Sequence, residues 1–185
     1  MAWLLPVGTP GGINSGFDGI PDGSGIVRLG EKLVYLDLNL YRLWRAAAAA
    51  PQAAELRTWG TTHGILEVDD CVRTLLDAEL LIQEGPEIQF RVGCLALRLI
   101  GECLGNGEHL KPTFLVLGRN NVRLQVDAYL FELLMRCDGV SPISLMCDSL
   151  DASNPRPGWP PPIEALTAGL PMLVRNEVVQ LEAAV

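Results

Sequence analysis

Positive charge is scarce in this chain: 14 Lys and Arg face 22 Asp and Glu, for a net charge of -8. Such a balance repels phosphate backbones and anionic membranes unless a local basic patch overrides it, and the sequence offers no such patch. Histidine is rarer still. His63 sits in Thr61-Thr62-His63-Gly64 and His109 follows Gly107-Glu108, neither with a Cys or His at ligand spacing, so both read as surface-loop residues and no metal site is expected. The five cysteines, Cys71, Cys94, Cys103, Cys137 and Cys147, form no CxxC pair; an odd number in apolar or helical surroundings reads as buried free thiols. No apolar run approaches the roughly 20 residues that cross a bilayer. The opening Met-Ala-Trp-Leu-Leu-Pro has no basic segment ahead of its short apolar run, so a cytoplasmic location is expected.

The usual marks of catalysis are missing too. Residues 8–25 hold seven glycines but no Gly-Lys-Ser/Thr ending, which makes a flexible hairpin loop a better reading than a phosphate cradle. There is no Gly-x-Ser-x-Gly elbow, and Asp69-Asp70 reads as a solvated first helical turn whose charge complements the dipole. No enzymatic activity and no cofactor are expected.

What the chain does have is apolar material, 49% against 19% charged, enough for packed cores. Its 185 residues allow one domain or two small ones. An internal correspondence favours two. Shifted by 88 residues, Leu29-Gly30 falls on Leu117-Gly118, Val34 on Val122, Leu36 on Leu124, Asn39 on Asp127 and Tyr41 on Tyr129, with no gap. A shift of 91 then pairs Val72 with Ile163, Leu75 with Leu166 and Ile88 with Val179. Agreement of apolar and turn positions in order points to duplication, with one unit over 1–92 and another over 93–185.

Each unit reads alike. A first strand (4–7; 95–100) leads to a hairpin (26–29 with 33–38; 114–117 with 122–126), turning at Gly30-Glu31-Lys32 and at Gly118-Arg119-Asn120-Asn121. Asn39 and Asp127 are placed to cap the helix that follows. In the first unit Leu40, Leu43, Trp44 and Ala47 form one helical face that must end before Pro51. In the second, Tyr129, Leu130, Phe131, Glu132, Leu133, Leu134 and Met135 are apolar nearly all round, predicting burial on two sides, at the contact between units or at a homodimer interface. Further helices are expected at 52–59, 68–79, 142–149 and 163–168, then terminal hairpins, 80–83 with 87–92 and 172–174 with 178–182. The class is α+β: two tandem winged helix-turn-helix-like units, each a hairpin, three helices and a β wing.

A hairpin ending in an Asn or Asp that opens a helix, followed in the second unit by the Asp-Gly step of Cys137-Asp138-Gly139-Val140-Ser141, resembles the PqqD-like family of RiPP recognition elements. The first unit has 48–51 in place of that step. The resemblance implies a winged-helix domain that holds the leader segment of a ribosomally made peptide for a modifying enzyme. An extended peptide would add a strand to an open sheet edge and pack its side chains on the third helix. Carried to this chain, the binding residues are Val34, Tyr35 and Leu36 with Arg73 and Leu76, and Val122, Arg123 and Leu124 with Ile163 and Thr167. Each edge could instead be covered by the other unit or the long loop.

Two other readings stay open. A winged helix could serve a DNA-binding regulator, but residues 51–79 hold Arg57 and Arg73 against six carboxylates and residues 141–170 hold Arg156 against three, where groove and phosphate contacts need Lys or Arg. A wing carrying Arg91 and Arg175 in a dimer would be its remaining route. A structural adaptor within a larger complex needs the same apolar groove as peptide binding and no catalytic residue.

Overall fold

The structure, a computed structural model, describes residues 2–16, 19–106 and 113–185; His109 and positions 17 and 18 of the glycine-rich stretch lie outside them. The protein is α+β, in two units, Met1–Gly85 and Pro86–Val185. No described helix is long and apolar enough to cross a membrane.

The first unit runs β1 (Leu4–Pro6), β2 (Thr9–Ile13), β3 (Gly25–Leu29), β4 (Lys32–Leu36), α1 (Leu38–Ala49), α2 (Ala53–Thr62), α3 (Val68–Asp77) and β5 (Leu81–Gln83). β2, β3 and β4 form an antiparallel sheet in that order. Gly30, at φ 59°, opens the two-residue turn between β3 and β4. α1 begins where the Asp37 carboxylate accepts the amides of Asn39 and Leu40 at 2.8 and 2.9 Å. The cap is therefore Asp37 rather than Asn39, which lies inside the helix. Leu43, Trp44 and Ala47 turn inward as the spacing predicts, joining Leu4, Val27, Leu36, Leu56 and Leu75 in the core. The sheet comes so close to this helix that a Cβ on Gly25 would lie 2.0 Å from the Tyr41 ring.

The second unit runs α4 (Ile88–Gly93), β6 (Leu95–Leu99), β7 (Glu102–Asn106), β8 (Thr113–Leu117), β9 (Arg123–Asp127), α5 (Ala128–Met135), α6 (Ile143–Ser153), α7 (Pro162–Arg175) and β10 (Val179–Ala183). β7, β8 and β9 form its three-stranded sheet. Asp127 caps α5 as expected, accepting the Leu130 amide at 2.7 Å. That helix is covered on two sides within its own unit, by α6 and α7 and by the sheet; Leu133 and Leu134 are fully buried while Met135 is exposed.

Four local expectations are corrected. The terminal hairpins do not form: β5 pairs with β1 and β10 with β6, all antiparallel. Residues 88–93 are helical, their alternating Ile88, Phe90 and Val92 notwithstanding, and residues 172–174 are the last turns of α7, which runs through Pro171. β2 and β7 lie in stretches expected to be loops. Pro10 and the glycines of β2 conceal a strand pattern, and both strands are bulged outer strands that no alternation marks. Finally, the gap-free correspondence breaks at the hairpin, because two residues join β3 to β4 and five join β8 to β9. Buried Leu36 and capping Asp37 thus occupy the places of buried Val126 and capping Asp127, not of Leu124 and Gln125.

Candidate functional site

Among the described residues β4 and β9 each have one strand neighbour, so alternate residues turn amides and carbonyls away from the sheet. On β4 the side chains alternate accordingly. Leu33 and Tyr35 face solvent, 53% and 43% exposed, while Leu36 is buried and Val34 packs on the core margin. On the second unit Val122, just ahead of β9, and Arg123 are exposed and Leu124 is half-buried. By contrast β2, at the other edge of the first sheet, carries Pro10 and a bulge, devices that discourage strand addition.

The third helices are not placed against these edges as expected. β4 is backed by α1, whereas α3 packs on α1, α2 and β5. Arg73 of α3 is exposed and bound to Asp70 at 3.0 Å; Leu76 is half-buried against the core. In the second unit β9 is backed by α5, and α7 packs on α4, α5, α6 and β10. Thr167 is buried, its hydroxyl donating to the Ile163 carbonyl at 2.6 Å, so it is turned away from any ligand. Ile163 lies half-buried on the first turn of α7 and lines a cleft.

That cleft, about 430 Å³, lies between α4, α6 and the start of α7. Phe90, Cys94, Cys147, Pro161 and Ile163 supply apolar walls, and Asp148 and Asp151 stand at its margin. Burial, and then the nearby Asp148 carboxylate, push the Cys147 thiol up to about 12. A thiol so held stays protonated and is a poor nucleophile. Contrary to the expectation that all five thiols are buried, only Cys147 is; Cys71, Cys103 and Cys137 are half-buried and Cys94 is exposed. A shallower hollow of about 390 Å³ in the first unit is lined by Ile13, Leu38, Tyr41, Arg42, Arg45 and Trp59. The Trp59 ring stacks on His63 at 4.0 Å.

The Asp-Gly step has a local structural task. Asp138 Oδ1 accepts the amides of Val140 and Ser141, each at 2.8 Å, and Oδ2 accepts the Ser141 hydroxyl. These bonds, led by that from Ser141, lower the Asp138 carboxyl to about 2, and Gly139 takes φ 73° beside it. The turn delivers the chain from α5 to α6.

Sequence reasoning missed Leu33, Phe90, Asp148 and Asp151. Leu33 carries a signal, an apolar residue out of phase with the buried face of β4; Phe90 was concealed by the strand pattern around it. Comparison with family models, curated proteins and solved structures finds no match to this chain.

Proposed function

We propose that the chain is a non-catalytic module that binds an extended peptide or protein segment by strand addition, in the manner of a tandem pair of winged-helix recognition elements holding a leader peptide. The observation that carries this reading is the open β4 edge with Leu33 and Tyr35 facing solvent, since exposed edges on native proteins are ordinarily blunted. The absence of a third helix beside the strand shifts side-chain recognition to these outward residues. Duplication is supported by the element order shared by the two units, three-stranded sheet, three helices and a last strand returning to the first. It is also supported by the matched caps Asp37 and Asp127. Duplex DNA is disfavoured because Arg57 and Arg73, the arginines of α2 and α3, are bound to Asp69 and Asp70.

The test is hydrogen exchange on the full chain with peptides selected from a random display library. Binding by strand addition slows exchange of amides within Lys32–Leu36 or Arg123–Asp127. Selected peptides that leave both strands unchanged, or tight duplex binding with a steep salt slope, would overturn the proposal.

A further inference from the structure

We infer that the cleft between α4, α6 and the first turn of α7 is a second docking site, independent of the sheet edges, for a cationic segment that carries an apolar anchor. Its lining is mainly apolar, and its volume of about 430 Å³ lies within the range of pre-formed ligand pockets. α4 packs on α6 here, a Cβ at Gly93 being in ordinary contact with Ser144 at 3.5 Å. On the rim, Phe90 is 74% exposed, an aromatic side chain left in water where burial against a partner would release the most apolar surface.

Charge selects the occupant. Asp148 and Asp151, on successive turns of α6, have no ion pair among the described residues, and no lysine or arginine lines the cleft. Arg91, beside Phe90 on α4, is exposed but does not line the cleft, and two further arginines of the unit are engaged elsewhere. Arg156 is bound to Glu132 at 2.6 Å and lies over the Tyr129 and Trp159 rings, and Arg136 donates to Ser149 and Ser153. An apolar groove beside two uncompensated carboxylates is complementary to a Lys- or Arg-bearing segment, and repels an acidic one.

The probe is a fluorescently labelled short peptide of alternating lysine and leucine, titrated against the full chain by anisotropy, with a glutamate-for-lysine peptide alongside. The site predicts binding of the first peptide alone. Phe90→Ala and the pair Asp148→Asn/Asp151→Asn each weaken it about tenfold, while Asp22→Asn/Asp77→Asn, which removes the same charge from exposed positions of the first unit, leaves it unchanged. All these side chains are exposed, so folding is not at stake. Equal weakening by the two charge pairs, or no effect of Phe90→Ala, would reduce the interaction to general attraction toward an acidic protein and sink the inference.

Discussion

Single side chains close the two units in ways that depend on distant partners. The Trp44 indole donates to the carbonyls of Val7 and Leu80 at 3.2 and 3.0 Å, fastening the paired first and last strands of its unit to α1. Among the thiols, position decides chemistry. Burial, more than any neighbouring charge, pushes Cys137 and Cys147 up to about 12, from the ordinary 9.0. At pH 8 a thiol-specific reagent is therefore expected to modify Cys94 rapidly in the native protein and to reach Cys137 and Cys147 only on unfolding; mass spectrometry of the labelled peptides checks this. Because the fold favours their protonated forms, the stability they confer is complete below pH 9 and is lost as pH rises toward 12. Urea melts across that interval should show falling midpoints. Equal labelling of all three residues would contradict it. The presence of unpaired thiols was legible in the odd count and spacing. Exposure of Cys94 was not, because it depends on residues 88–93 being helix rather than strand.

Among elements, the ends of α3 and α7 are built alike. Glu79 and Glu177 take left-handed φ of 58° and 54°; their amides bond to Leu76 and Val174, and the next amides to Leu75 and Leu173. This is the Schellman arrangement, with glutamate at the position glycine prefers. A side chain is strained there, so Glu79→Gly and Glu177→Gly should each stabilise the protein by about 0.5–1 kcal/mol, the relieved strain exceeding the added freedom of the unfolded chain. Chemical denaturation of the two variants measures it, and a loss of stability would refute it. Helices were the most legible elements, since Leu43, Trp44 and Ala47 repeat at helical spacing and Pro51 marks an end. The wings were misread because hydrophobic 80–82 and 178–182 announce strands without naming their partners. Those partners, β1 and β6, lie at the far end of each unit.

For the molecule as a whole, each unit holds its own buried set, Leu4, Leu43, Leu56 and Leu75 in one and Leu97, Leu133, Leu150 and Leu166 in the other. Residues 1–85 and 86–185 expressed separately should each unfold cooperatively with native-like circular dichroism. A fragment without a cooperative transition would show that its core is not self-sufficient. Composition, charge, the three helices that follow the hairpin in each unit and the hairpin that leads into α1 and α5 were determined by the sequence alone, because they rest on local spacing, caps and turn residues. Only the tertiary structure decided which strands close each unit, that α1 and α5 rather than α3 and α7 back the sheets, and that Phe90, Asp148 and Asp151 share a cleft. Those outcomes depend on contacts between residues far apart in the chain, which no local pattern records.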